Sequence, residues 1–128
     1  MAAGKYNFIV EQGSQHEVTF VYKDSSDTAI NLDSKRVRMA VKDHITDTEF
    51  VYRATSDATA DTGYSDHFNI PTQTGADIGK FVLTIPSSVT DNFTFNQGVY
   101  DLELVTPSTG VVERIIEGKF KVKPQVTD

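Results

Sequence analysis

The stretch 98–122, GVYDLELVTPSTGVVERIIEGKFKV, constrains the fold of this chain more than any other part of the sequence. Large apolar residues in its first half alternate with acidic ones, which is the period-two pattern of a strand with one buried and one solvent-facing side. The alternating residues are Tyr100, Leu102 and Leu104 on one side, and Asp101 and Glu103 on the other. The turn residues PSTG follow at 107–110, and a second β-rich run comes at once. We therefore predict a long β-hairpin, with a bulge where Gly118 interrupts its second arm.

Further β-rich runs precede the hairpin and are separated by clusters of turn residues. They lie at 5–11, 15–23, 35–43, 47–55, 67–70 and 80–85. The clearest are 35–43, with Val37, Met39 and Val41 inward, and 80–85, with Phe81, Leu83 and Ile85 inward. One helical turn is predicted at 87–93, and no amphipathic helix appears. The pattern favours an all-β fold, an antiparallel two-sheet sandwich of immunoglobulin-like or Greek-key type with seven to eight strands. A small barrel is the alternative, because strand periodicity does not distinguish the two.

Length and composition narrow the classes of function. A chain of 128 residues predicts one domain, 1–128, with short flexible termini at 1–4 and 124–128 that order only in an assembly. The absence of cysteine excludes disulfides, thiolate metal sites and thiol nucleophiles. A net charge of −6 opposes nucleic-acid binding. No apolar run is long enough for a membrane span or a signal peptide, so neither a membrane partner nor signal-peptide secretion is predicted.

The titratable residues do not form a recognised catalytic or metal-binding pattern. His16, His44 and His67 lack metal-ligand spacing, and the acidic loops do not match a calcium-binding loop. Nucleophile-elbow and phosphate-loop motifs are absent as well. We predict no catalytic, cofactor-binding or metal-binding residue, no cofactor and no enzymatic activity. Two alternatives stay open, because a fold can bring distant carboxylates together either as a glycosidase pair or as a calcium site between loops.

The candidate contact residues lie in two loops. The stretch 56–66, SDATADTGYSD, is small, polar and acidic, which is typical of an exposed and mobile loop. Tyr64 is its one aromatic residue, and Asp61 and Asp66 flank it. The turn of the closing hairpin adds Ser108 and Thr109. These five residues are the predicted interface.

Several segments resemble small virion structural proteins of tailed bacteriophages, including ones in marine cyanophage-like genomes, and the N-terminal domain of upper baseplate proteins. The resemblance is carried by GKYNFIVEQG at 4–13, the Lys23-Asp24 turn, Arg38-Met39 and Val41 in the run 35–43, FVLTIPSSVT at 81–90 and GVYDLELVTPSTGVVERIIEGKFKVKPQVT at 98–127. It covers nearly the whole chain, although the region 56–79 is longer and more polar than a minimal module would need.

The resemblance implies a β-sandwich module built into a tail or baseplate. Such a protein is made in the host cytoplasm, resides in the virion, and acts by assembly with other virion proteins and with copies of itself. The alternatives with the same fold are a capsid decoration protein and a carbohydrate-binding module. An enzyme is a third possibility, which would require a deep pocket with convergent carboxylates or histidines.

Overall fold

Two β-sheets packed face to face make up the computed structural model, which describes residues 4–126. The strands are β1 (Gly4–Lys5), β2 (Phe8–Glu11), β3 (His16–Val21), β4 (Arg36–Lys42), β5 (Tyr52–Thr55), β6 (Ser65–Asp66), β7 (Phe68–Asn69), β8 (Lys80–Ile85), β9 (Gln97–Thr106) and β10 (Val111–Lys123). A 3-10 helix spans Gly75–Asp77, and the α-helix α1 spans Ser87–Thr90, shorter than the turn predicted at 87–93. Within the described residues, neither helix is long and apolar enough to cross a membrane.

The larger sheet has the strand order β1-β10-β9-β4-β5-β6, and β2 also pairs with β10. The smaller sheet has the order β3-β8-β7. The predicted two-sheet sandwich of immunoglobulin-like or Greek-key type is thus confirmed. Ten strands form within residues 4–126 where seven to eight were predicted, because the first run divides into β1 and β2 and the loop 56–66 contains β6. Most pairings are antiparallel, but β1 and β2 run parallel to β10, and β6 runs parallel to β5.

The predicted closing hairpin forms, with β9 and β10 paired from Thr106 and Val111 at the turn to Gln97 and Lys121. The bulge predicted at Gly118 is wrong. The register shifts between Arg114 and Ile116, whereas Gly118 pairs regularly with Tyr100. Glycine is required at 118 for a different reason, since a Cβ there would overlap the carbonyl oxygen of Tyr6.

The core lies between the sheets and is built from alternate residues of each strand. The inward residues predicted for 35–43 and 80–85 are all buried, with exposures of 0–1%, namely Val37, Met39, Val41, Phe81, Leu83 and Ile85. Phe8 has no exposed surface, and its ring lies 6.2 Å from Phe20 of the opposite sheet and 4.9 Å from Tyr100. Edge-to-face aromatic contacts of this kind add to the stabilisation that comes from burial alone.

Two predicted segments differ from the structure. The run 47–55 forms a strand only over Tyr52–Thr55, and Phe50 in its first half is 41% exposed. Of the predicted flexible termini, residues 1–3 and 127–128 lie outside the described residues. Gly4 belongs to β1, and the amide of Gln125 donates to Gln12 Oε1 at 2.9 Å.

Candidate functional site

An open groove of about 1060 Å³ lies at one end of the sandwich. We call it the end groove. It lies where the start of β4, the β6–β7 segment, the end of β8 and the β9–β10 turn meet. Its charged and polar lining residues are Ser34, Lys35, Arg36, Ser56, Asp57, Asp66, His67, Asn69, Thr84 and Ser108, and its apolar ones are Phe68, Ile70, Pro86 and Pro107. Asp66 and Ser108, two of the five predicted interface residues, are brought together here.

Most polar side chains of the end groove are held by partners within the fold. Lys35 Nζ donates to Thr106 Oγ1 at 2.9 Å, and His67 Nδ1 lies 2.6 Å from the Tyr52 hydroxyl. Burial lowers the pKa of His67, although the charge of Asp66 opposes this shift. These contacts fix the walls of the groove and leave Asp66 and Ser108 exposed on its rim.

Asp61 is not a surface residue, which corrects its place in the predicted interface. Its side chain is 3% exposed and accepts hydrogen bonds from Arg36 Nε at 2.8 Å and Arg38 Nη1 at 3.1 Å. Thr55 Oγ1 donates to the same carboxylate at 2.7 Å. Burial by itself raises the pKa of Asp61, but the hydrogen bonds from the threonine and the two arginines lower it overall. The loop 56–66 is therefore anchored to β4 at its centre.

Tyr64 and Thr109 lie outside the end groove. The Tyr64 ring is half-buried and packs against the Arg53 guanidinium, with 4.8 Å between Cζ and the ring centroid. The same guanidinium lies 4.8 Å from the ring centroid of Phe50, so Arg53 is held between two aromatic rings. Thr109 is exposed at the tip of the hairpin turn, where its hydroxyl accepts a hydrogen bond from Val111 N at 3.3 Å.

A second concavity, which the sequence did not indicate, lies on the outer face of the larger sheet. It measures about 290 Å³ and is lined by Ala40, Lys42, Ile45, Phe50, Val99, Tyr100, Asp101, Arg114, Glu117 and Gly118. Burial and the neighbouring Glu103 raise the pKa of the Asp101 carboxyl. Its exposed apolar side chains, Ile45 at 79% and Phe50 at 41% exposure, belong to the loop that follows β4.

One grouping in residues 4–126 has the ligand types and spacing that could hold a metal ion. Asp43, His44 and Asp47 bring one ligand atom each to within 4.8 Å of one another in the β4–β5 loop. Asp43 and His44 are exposed, and His44 Nδ1 lies 3.7 Å from Asp47 Oδ2. Exposed acidic groups commonly gather without a metal, so this grouping does not define a metal centre. The other two histidines, His16 and His67, are not part of it.

Comparisons with known proteins identify no family. No protein-family model matches the chain, and no curated protein matches it. Among solved structures, the chain is similar to one described under "Structure-based site-directed photo-crosslinking analyses of multimeric cell-adhesive interactions of VGSC beta subunits". The two are 8% identical, the match covers 96% of each chain, and the TM-score is 0.49. At this identity the similarity has no bearing on function.

Proposed function

We propose that this protein is a non-enzymatic structural protein of a phage virion, a tail or baseplate component that acts through protein–protein contacts. The observation that carries the proposal is the end groove, which is lined by residues of both charges and bordered by β7. Because β7 is the outer strand of its sheet, it offers unpaired backbone groups to a segment of another protein.

The chemistry of the groove favours binding over catalysis. A catalytic site needs a base or nucleophile that is free to act on a substrate. Here Arg36 forms an ion pair with the buried Asp61, and Lys35 and His67 each have a hydrogen-bond partner in the fold. Asp57 Oδ1 accepts the amides of Thr59 and Ala60 at 3.1 and 3.2 Å. The remaining carboxylate, that of Asp66, and the hydroxyl of Ser108 lie exposed to solvent on the rim. The groove therefore offers shape, rim polarity and a strand edge, which are the features of a peptide-binding surface.

The position of the protein in assembled particles tests this proposal. We expect electron microscopy of particles that carry a tagged chain to show it in the tail or baseplate, and tails that lack capsids to contain it. If the protein is instead found on capsid shells in fixed stoichiometry, the capsid decoration alternative is supported. Its absence from particles would refute a virion role altogether.

A pair of matched variants tests the end groove itself. Ser108→Arg places a long cation on the groove rim, and Thr48→Arg places the same side chain on the exposed loop at the opposite end of β4. Both positions are exposed, so both variants should fold. We expect S108R to enter particles less efficiently than the wild type and T48R to enter normally. Equal incorporation of the two variants would exclude the groove as the contact surface.

A further inference from the structure

The smaller sheet has an open edge along β3. Within residues 4–126, β3 pairs with β8 on one side and with no strand on the other. The N-terminal strands β1 and β2 do not cover it, because they pair with β10 in the larger sheet. An uncovered edge of this length is a template for another strand unless the protein protects it.

The hydrogen bonds of Tyr22 show which backbone groups point outward from this edge. The Tyr22 amide donates to Gly79 O at 2.8 Å, and the Tyr22 carbonyl accepts from Ile30 N at 2.9 Å, both on the β8 side of the strand. Backbone groups of alternate residues point to opposite sides of a strand. The amides and carbonyls that point away from β8 therefore belong to Glu17, Thr19, Val21 and Lys23. We call these four residues the β3 edge.

The side chains of the β3 edge are all exposed, and its two charged residues lie at equal distances on either side of Phe20. Glu17 lies three residues before Phe20, and Lys23 lies three residues after it. If two copies pair antiparallel about a twofold axis at Phe20, Glu17 of each copy lies opposite Lys23 of the other, and Thr19 lies opposite Val21. Each contact then occurs twice, as a closed dimer requires. Opposite charges that face each other across two strands stabilise the pairing.

Other registers do not give this match. A shift of the axis by one residue, to Thr19 or Val21, places Glu17 or Lys23 opposite an uncharged residue. Centring the axis between two residues would place an outward-pointing amide opposite an inward-pointing one, which an antiparallel ladder does not allow. Lys23 is available for the contact, because its present partner is Asp27 at 3.4 Å and both side chains are exposed.

We propose that two copies of this chain pair through their β3 edges in the register centred on Phe20, which joins their smaller sheets into one sheet of six strands, three from each copy. The partner is a second copy because the edge is complementary in charge to itself. The inference rests on the proposed function, since it supplies one of the contacts through which the protein would assemble.

Charge exchange tests the register. Sedimentation equilibrium should show a monomer–dimer equilibrium for the wild type as the concentration rises towards the millimolar range. Glu17→Lys and Lys23→Glu should each weaken the dimer about tenfold, because two attractive pairs become two repulsive ones. The double variant should restore dimerisation, because each pair regains opposite charges. A Glu49→Lys control makes the same charge change at an exposed loop residue and should leave the dimer intact.

Backbone evidence comes from Thr19→Pro and from amide exchange. The Thr19 amide points away from β8, so proline removes an edge donor and no bond within the sheet. T19P should keep the circular dichroism spectrum of the wild type and lose the dimer. In the wild type, dimer formation should slow exchange at residues 19 and 21 and leave residues 18 and 20 unchanged, because β8 already protects those two. A wild type that is monomeric at every concentration would overturn the proposal. So would a dimer whose dissociation constant is the same in the charge-exchange variants.

These outcomes separate the two proposals. If the protein is present in particles but its charge-exchange variants dimerise as the wild type does, the β3 dimer alone is refuted. A chain that dimerises as described but is absent from particles would refute the virion role and leave the dimer standing.

Discussion

Asp61 is the loop residue whose replacement should most clearly reduce the stability of the fold, because its carboxylate is the shared acceptor of two arginines and a threonine. Asp61→Ala removes that acceptor from Arg36 Nε, Arg38 Nη1 and Thr55 Oγ1, which lie 2.7–3.1 Å away. Removing one partner of a fully buried ion pair costs about 3–5 kcal/mol. The arginine side chains here are 18% and 25% exposed, and Arg38 Nε keeps its 2.9 Å bond to Glu103.

The expected loss therefore lies at the lower end of that range, about 3 kcal/mol in the free energy of unfolding. For a domain of this size it corresponds to a fall in Tm of roughly 10 °C. The isosteric Asp61→Asn keeps one acceptor oxygen and loses the charge, so it should lose less, about 1–2 kcal/mol. The chain has no tryptophan, so urea unfolding is best followed by circular dichroism. Asp66→Ala, at an exposed position of the same loop, is the control and should change stability by less than about 0.5 kcal/mol.

The pH dependence of the same variant provides an independent check. The folded pKa of Asp61 lies below its ordinary value of 3.8. The carboxylate therefore contributes its stability above the unfolded pKa, and that contribution is lost as the pH falls through the folded value. The difference between wild type and D61A should shrink below about pH 4. A loss under about 1 kcal/mol at neutral pH, or an equal loss in D66A, would refute the view that Asp61 anchors the loop.

Further substitutions test other parts of the fold. Gly118→Ala should destabilise by about 1–3 kcal/mol and speed amide exchange in β1, because its Cβ overlaps the Tyr6 carbonyl; unchanged exchange would contradict this. His16→Phe should stabilise by about 1 kcal/mol, because the buried His16 Nε2 has no hydrogen-bond partner. Burial lowers the pKa of His16, so the free energy of unfolding should be highest above pH 6.5 and decrease below it. This decrease should be smaller in H16F, and urea midpoints above and below pH 6.5 measure it. Gln73→Ala should cost about 2–3 kcal/mol in urea unfolding, because Oε1 accepts two buried backbone amides, and a loss within error would contradict that role.

The strands could be predicted from the sequence because their signal is local. Val37, Met39 and Val41 alternate with Arg36, Arg38, Ala40 and Lys42 in β4, and only one face of a sandwich sheet can be buried. The same argument located the hairpin and β8. It fails for β6, because the two residues Ser65 and Asp66 cannot display a period, whereas β7 lies within the predicted run 67–70.

The candidate site was less predictable because its contacts join distant parts of the chain. In the sequence, Asp61 has the pattern of an exposed acidic residue in a loop. No residue near it in the sequence indicates that it pairs with two arginines of β4, 23 and 25 residues upstream. Tyr64 reads as an isolated aromatic until the fold places Arg53 against its ring. Asp66 and Ser108 share the end groove only because the hairpin turn returns to the β6–β7 segment. Composition identifies such residues as polar, and topology decides whether they are buried, paired or free.

Gly118 connects the topology to the proposed dimer. A glycine within a strand can mark either a bulge or the close approach of another backbone, and the sequence alone does not choose between them. In this fold the backbone at Tyr6 passes over Gly118, with the Tyr6 amide bonded to Glu117 O at 3.1 Å, which allows β1 and β2 to join β10 in the larger sheet. An N-terminal strand that lay instead along β3 would cover the β3 edge. The small residue at 118 thus leaves β3 open, so an alanine there should favour capture of that edge by the chain's own N-terminal segment and weaken dimerisation, although position 118 lies in the other sheet.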